Sequence, residues 1–172
     1  NIPETVMSAL QRVLFGTILP MWFTCSRYDD IAKLKTALVK FEKLHKDLDR
    51  YQWNVDFQLS KGEQFYLGGS NKMMLPPRYH QYLQTFMTSR ALHERYTDAT
   101  YEETLKAIQD LYPALTCHSF KRGALMHLLK QGVTLDILQV IAKHRSMDTL
   151  LVYLDSALVA ESLGLPHVAN RL

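Results

Sequence analysis

The sequence predicts a mostly helical α+β domain with a small antiparallel β-hairpin or sheet on one edge. Two patterns carry this prediction. Apolar residues recur at helical spacing along most of the chain, whereas clear apolar–polar alternation, the period of a strand, runs from Gln52 to Leu59. A length of 172 residues with 47% hydrophobic residues is enough for one complete core, so we expect a single domain.

The first 23 residues predict a helix followed by a core segment. Asn1 to Phe15 carries an apolar stripe, and Pro3 stands in the first turn, where its missing N–H does no harm. Gly16 to Phe23 is strongly apolar and is punctuated by Pro20, so we expect it to lie in the core.

The next part of the chain predicts the β-structure. Residues 35–51 leave two interpretations open: a helix, or a short strand around Ala37 to Phe41 followed by a loop. The alternating strand then turns at Ser60 to Glu63 and returns over Gln64 to Leu67, which predicts a β-hairpin. Gly-Gly and Pro-Pro pairs predict a loop from Gly68 to Pro77.

The remainder of the chain predicts five helices. The first two run from Arg78 to Arg90 and from Thr100 to Tyr112. The third runs from Cys117 to Lys130, the fourth starts after Thr134 as N-cap, and the fifth follows Ser146.

The composition restricts the class of protein only loosely. A net charge of +3 and a pI of about 8.8 are compatible with DNA binding but do not prove it. Cys25 and Cys117 alone predict neither a disulfide framework nor a metal site, and an intracellular location is the default. No apolar run reaches the roughly 18 residues of a membrane span. Without an initiator Met, the chain is expected to be a fragment of a longer protein.

A set of polar residues stands out in the last three helices. Lys121 and Arg122 follow His118 at i+3 and i+4, so a helix places all three on one side. A basic triplet of this kind can bind a phosphate. His144 comes at the joint between the fourth and fifth helices, and Tyr153 lies within the fifth.

The order and spacing of these residues resemble those of the tyrosine recombinases, also called phage-type integrases. That family carries His-x-x-Arg, then a Gly that closes the helix, then a His or Trp shortly before a nucleophilic Tyr. Here His118 and Gly132 are 14 positions apart (132 − 118), and His144 and Tyr153 are 9 apart (153 − 144). The run HSFKRGA is similar to eukaryotic mobile-element branches of the DIRS and Crypton types.

The same resemblance gives Arg27 a role. Taken alone, Arg27 and Asp30 form an ordinary i, i+3 helix pair. The family's first arginine lies in Arg-x-x-(Glu or Asp)-(Leu or Ile)-x-x-Leu, and Arg27, Asp30, Ile31 and Leu34 match that pattern. The resemblance implies that Arg27 contacts the phosphate and that Asp30 mainly seats the helix.

A hairpin lysine and a substituted arginine complete the set. A lysine at a turn usually only aids solubility. In the family, however, a mobile β-hairpin carries the catalytic lysine near its turn. By this resemblance Lys61 is the first candidate for the catalytic lysine and Lys72 is the second. The family's second arginine falls on Lys121, which cannot make a bidentate phosphate contact. Three interpretations stay open: Lys121 acts more weakly, Arg122 replaces it, or the site is impaired.

The resemblance implies metal-free cleavage of DNA. Tyr153 would attack phosphorus, and because a tyrosine has a pKa of about 10, a positive field must favour its phenolate. Arg27, together with Lys121 or Arg122 and a hydrogen bond from His144, would hold the charged oxygens of the transition state.

Proton transfer falls to two further residues. By resemblance, Lys61 would protonate the departing 5′ oxygen, and His118 would manage the tyrosine proton. The product would be a 3′-phosphotyrosine link that a second 5′-hydroxyl can reverse without a cofactor. The candidate site residues are thus Arg27, Lys61, His118, Lys121, Arg122, His144 and Tyr153.

The resemblance covers roughly Ala9 to Ser156 and implies a catalytic domain without the N-terminal DNA-clamping domain of a complete recombinase. The expected partners are double-stranded DNA and further copies in a dimer or tetramer, with no membrane and no small-molecule cofactor. The expected location is the nucleus in a eukaryote, or the cytoplasm and nucleoid in a bacterium or phage. The tail, Ser156 to Leu172, packs on its own domain or docks on a neighbouring protomer; both interpretations stay open.

Three other functions are weighed against recombination. An impaired or domesticated copy would bind DNA or a protein without cleaving. A type IB topoisomerase shares the chemistry, but the close spacing of His144 and Tyr153 fits recombinases better. A purely structural helical domain is the last alternative.

Overall fold

The computed structural model describes residues 8–43, 51–57, 70–75, 77–88, 90–143, 146–152 and 154. These residues form a mostly helical α+β fold with a small antiparallel sheet, which confirms the predicted fold class. Several predictions fall outside the described residues. They concern the start of the first helix, the hairpin turn with Lys61 and its return strand Gln64 to Leu67, the residues His144 and Tyr153, and the tail from Ser156 to Leu172.

The N-terminal helical run is longer than predicted. Ser8 caps α1 (Ala9–Val13), a π-helical stretch follows (Leu14–Ile18), and α2 continues without a break (Leu19–Thr24). The predicted interruption at Pro20 is therefore wrong, because the helix passes through it. The wider π turn directly before Pro20 is where the regular hydrogen-bond ladder changes, so the missing N–H of proline does not end the helix.

A sharp reversal links α2 to the short helix α3 (Tyr28–Ala32). Cys25 ends α2 in the left-handed conformation with φ of 53°. This conformation is uncommon for any residue other than glycine, and it redirects the chain so that Arg27 becomes the N-cap of α3.

Three strands form the sheet in the order β1-β2-β3: β1 (Val39–Lys43), β2 (Tyr51–Asp56) and β3 (Ser70–Leu75). Both neighbours pair antiparallel with the central strand β2. Of the two interpretations of residues 35–51, the strand is therefore the one that is confirmed. The predicted alternation is also confirmed, because Trp53 and Val55 are buried.

The loop predicted from Gly68 to Pro77 is wrong over most of its length. Residues Ser70 to Leu75 pair with every residue of β2, from Asp56 opposite Ser70 to Tyr51 opposite Leu75. The glycines and prolines flank this strand rather than interrupt it, and pairing with a distant strand leaves no local periodicity to detect.

The later helices match their predicted bounds within one or two residues: α4 (Pro77–Thr88), α5 (Tyr101–Leu111), α6 (Cys117–Lys130) and α7 (Leu135–Ala142). Residues 147–152 are also helical. Local signals explain this agreement. Thr100 and Glu103 form a capping box at α5, and Gly132 adopts φ of 88° after α6. No helix in the described part of the chain is long and apolar enough to cross a membrane.

Two hydrophobic clusters hold these elements together. The first core includes Met21, Trp53 and Phe86 and joins the N-terminal helices to the sheet and α4. The second core joins α6 to α7 and to residues 147–154; its buried members are Cys25, Ala124, Leu125, Met126, Leu138, Ala142, Leu150 and Leu154. Each fully buried leucine contributes about 2 kcal/mol relative to exposure.

Some helical leucines are exposed. Leu111 is the last residue of α5 and Leu135 is the first residue of α7, and both are exposed. Leu10 and Leu151 are also exposed.

Candidate functional site

The four described candidates come from two distant parts of the chain and meet at one place. Arg27 caps α3, whereas His118, Lys121 and Arg122 lie in the first two turns of α6. The charges of Arg122, Lys121 and Arg27 each lower the pKa of His118. The two segments are therefore within electrostatic reach of each other around this histidine.

The backbone of Arg27 is held by a hydrogen bond, and its side chain is partly exposed. Its backbone N–H donates to the Asp30 carboxylate (3.1 Å), and its Nε lies 3.5 Å from the same oxygen. Asp30 is buried, whereas 35% of the Arg27 side chain is exposed. Asp30 thus seats the start of α3 and also forms the i, i+3 pair with the guanidinium.

The surroundings of His118 favour its neutral form. The residue is exposed, but partial burial of the imidazole lowers its pKa because it disfavours the charged form. The charges of Arg122, Lys121 and Arg27 lower that pKa further. Asp29 acts in the opposite direction. A neutral and accessible imidazole at neutral pH can accept a proton from a substrate or from a neighbouring group.

Lys121 is engaged within the protein. Only 5% of the residue is exposed, and its Nζ donates to the Ala142 carbonyl oxygen at 2.7 Å. The pKa of Lys121 is lowered from 10.5 to about 8, mainly by burial and next by the charge of Arg27, while Asp30 opposes both. This hydrogen bond connects α6 to the last residue of α7, two positions before His144 in the sequence.

Arg122 is the second buried cation of the group, with 5% of the residue exposed. Burying a charged side chain costs free energy unless other groups stabilise it. Placing Lys121 and Arg122 side by side near Arg27 concentrates positive charge beside His118. Such an environment suits an anion, and a phosphate has the oxygens to accept several hydrogen bonds from it.

The end of the central strand also reaches this region. The Lys143 ammonium lies 4.3 Å from the centre of the Phe57 ring, and its charge lowers the pKa of Lys121. Phe57 directly follows β2 and precedes Lys61 by four positions. The chain therefore enters the segment that contains Lys61 close to the site. Lys72 lies on β3, and its backbone pairs with Asn54.

The helical residues 147–152 pack next to the same structure. Leu150 and Leu154, which flank Tyr153, are both buried in the second core against α6 and α7. The positions of Tyr153 and His144 themselves lie outside the described residues. The packing of their neighbours brings this part of the chain to α7.

Two tyrosines near the site have raised pKa values, whereas a tyrosine nucleophile needs a lowered one. Burial raises the pKa of Tyr28 and Tyr101, and Cys117, Asp29 and Glu102 raise it further. The Tyr28 hydroxyl also donates to the Ala99 carbonyl at 2.7 Å. Neither phenol is therefore favoured as a phenolate.

The two cysteines are also unsuited to nucleophilic chemistry. Burial raises the pKa of Cys25 to about 12 and that of Cys117 to about 11, so both are thiols at neutral pH. Among the residues that the structure describes, no three His, Cys, Asp or Glu side chains gather as a metal site would require.

Sequence reasoning missed three neighbours of the site. The charge of Asp29 raises the pKa of His118, Cys25 is buried in the second core together with residues of α6, and Lys143 adopts the left-handed conformation with φ of 55° at the end of α7. Only Lys143 has a sequence signal, because it immediately precedes His144. The other two depend on the fold.

No protein-family model matches the chain, and neither the curated proteins nor the solved structures give a match.

Proposed function

We propose that this domain cleaves and rejoins DNA strands through a 3′-phosphotyrosine intermediate formed on Tyr153. The observation that carries the proposal is the convergence of Arg27 with the basic residues of α6 around one neutral histidine, His118. Arg27 and His118 are 91 positions apart (118 − 27), so helix periodicity alone cannot bring them together.

The chemistry balances without another reactant. The Tyr153 oxygen forms a bond to phosphorus while the bond from phosphorus to the 5′ oxygen breaks. His118, neutral because its pKa is lowered, accepts the tyrosine proton. Lys61 protonates the departing 5′ oxygen, and Arg27 with a second cation from α6 stabilises the charged oxygens. Attack by another 5′-hydroxyl reverses the link onto a new strand.

The proposed partners are double-stranded DNA and further copies of the chain, so the protein would act wherever that DNA is. The positive charge around His118 suits a phosphodiester, because charge-assisted hydrogen bonds from guanidinium groups to phosphate are strong and directional.

One observation supports a second candidate function. The Lys121 ammonium already donates to the Ala142 carbonyl, and a lysine cannot replace the two-pronged contact of an arginine. If Arg122 does not compensate, the domain would bind DNA or a protein partner without cleaving.

A suicide substrate tests the proposal. The substrate is a DNA duplex that carries a nick near the cleavage point and comes from the ends of the mobile element that would contain the gene. The duplex is incubated with the protein in EDTA, and covalent protein–DNA complex is measured on a denaturing gel. We expect a covalent band that disappears in Tyr153→Phe. DNA binding on this duplex without any covalent band would contradict cleavage and favour the binding function.

A further inference from the structure

The carbonyl that Lys121 contacts lies at the C-terminal end of α7. Ala142 is the last residue of that helix, and the final four carbonyls of a helix have no partner within it. These carbonyls also form the negative end of the helix dipole, where a cation is stabilising. The buried Lys121 ammonium therefore caps α7 from outside, at 2.7 Å and across 21 residues of sequence.

The joint that follows α7 is held from a second side as well. Lys143 takes the left-handed conformation, its N–H closes the helix on Val140, and its ammonium lies over the Phe57 ring. Two lysines thus connect this joint to α6 and to the end of β2. The joint leads directly into His144.

The roles of the two neighbouring cations can therefore be separated. We propose that Lys121 is a positioning residue that fixes the C-terminal end of α7, two positions before His144 in the sequence, while Arg122 provides the second guanidinium for the phosphate. This inference rests on the proposed function. Arg122 is suited to its role because it follows His118 at i+4 on the same side of α6, and its planar fork can bind two phosphate oxygens.

On this account, the lysine at the family's arginine position does not indicate decay. The guanidinium moves one position along α6, from i+3 to i+4 relative to His118, which stays on the same side of the helix. The vacated position then supplies the cap of α7.

A matched pair of neutral variants separates positioning from phosphate contact. Gln and Met have similar length and no charge, but only Gln retains a donor for the Ala142 carbonyl. We expect Lys121→Gln to form covalent complex within about tenfold of the wild-type rate and Lys121→Met to lose about 100-fold. Arg122→Gln should lose about 100-fold or more, and Lys130→Gln, an exposed cation near the end of α6, should match wild type.

Equal losses of about 100-fold in both Lys121 variants would overturn the proposal, because the charge itself would then be needed. So would full activity in Lys121→Met. The salt dependence of noncovalent DNA binding gives an independent result. A residue that contacts phosphate contributes about 0.9 to the slope of log K against log salt. We expect that decrease in Arg122→Gln but not in Lys121→Gln, and the reverse pattern contradicts the proposal.

Amide hydrogen exchange distinguishes failure of this inference from failure of the proposed function. The N–H of Lys143 bonds to the Val140 carbonyl at the capped end of α7. Lys121→Met should exchange this proton faster than both wild type and Lys121→Gln, whether or not the protein cleaves DNA. Unchanged exchange in a folded Lys121→Met protein would refute the positioning role.

Discussion

Two groups of arginine and lysine side chains in this chain face different surroundings. In the first, which we call the surface group, Arg12 pairs with the carboxylate of Asp98, and 45% of the Arg12 side chain is exposed. Arg90 also contacts this carboxylate, at 2.9 Å, but its side chain is only 13% exposed and burial lowers its pKa. Asp98 is about half exposed, at 48%. Ion pairs in such a place contribute about 0–1 kcal/mol each, since water solvates the separated charges nearly as well.

The second group, at the candidate site, contains Arg27, Lys121 and Arg122. Lys121 and Arg122 are almost fully buried, and the contact of the Lys121 ammonium is a carbonyl dipole rather than a carboxylate. Asp29 and Asp30 are within electrostatic reach of this group, but His118 and Lys121 still have lowered pKa values.

The contrast indicates what each group is suited for. An exposed cation that pairs with an exposed carboxylate, as Arg12 does with Asp98, can be replaced at small cost in stability or activity. Burying cations next to one another costs free energy through desolvation and through repulsion between like charges, and it lowers the pKa of the neighbouring histidine and lysine. A bound anion would reduce this repulsion. Perturbed groups of this kind are concentrated at functional sites.

The largest expected effect is on cleavage. Arg27→Ala removes a guanidinium from the candidate site, whereas Arg12→Ala removes one from the surface group. We expect the first to reduce the single-turnover rate of covalent complex formation by about 100–1,000-fold and the second to leave it unchanged. Similar rates in the two variants would remove the functional distinction between the groups.

A pH titration of stability addresses the buried lysine. The unfolded chain binds the Lys121 proton more tightly than the folded protein does, because folding lowers its pKa from 10.5 to about 8. The free energy of unfolding should therefore rise between about pH 8 and 10.5, by up to about 3 kcal/mol, relative to Lys121→Met. Denaturant unfolding at several pH values measures this difference, and parallel curves for the two proteins would contradict it.

Two carboxylates offer a direct comparison of the groups. Asp30 is 8% exposed beside Arg27, whereas Asp98 is about half exposed. We expect Asp30→Asn to reduce the free energy of unfolding at pH 7 by about 2–3 kcal/mol and Asp98→Asn by less than about 1 kcal/mol, measured by urea titration. A larger loss from Asp98→Asn would reverse the comparison.

The smallest effect is a shift in the pKa of His118. Because the Arg122 charge contributes to lowering that pKa, Arg122→Gln should raise it toward the ordinary value of 6.5, and Arg12→Gln should leave it unchanged. Nuclear magnetic resonance titration of the imidazole provides the measurement. A wild-type His118 that titrates above 6.5 would contradict the described environment.

Local chemistry made much of the helical structure predictable. The start of α6 after Thr116 and its end before Gly132 follow from capping and from a positive φ that glycine adopts easily. The common side of His118, Lys121 and Arg122 follows from the helical period alone.

Other features depend on contacts between distant residues. The β3 strand forms by pairing with β2, and no local signal in Ser70 to Leu75 indicates that partner. In the same way, nothing near Lys121 in the sequence identifies the Ala142 carbonyl as its acceptor. The proposed division of roles between Lys121 and Arg122 therefore rests on the contact of α6 with the end of α7, which the sequence does not show.

The central claim is that Tyr153 becomes covalently linked to DNA, and mass spectrometry of the trapped complex tests it most directly. The covalent product from the nicked duplex is digested with protease and nuclease, and the peptide carrying the residual nucleotide is sequenced. The account predicts a 3′-phosphate ester on Tyr153 and none in Tyr153→Phe. A nucleotide on any other residue, or DNA that is bound but never linked, would contradict it.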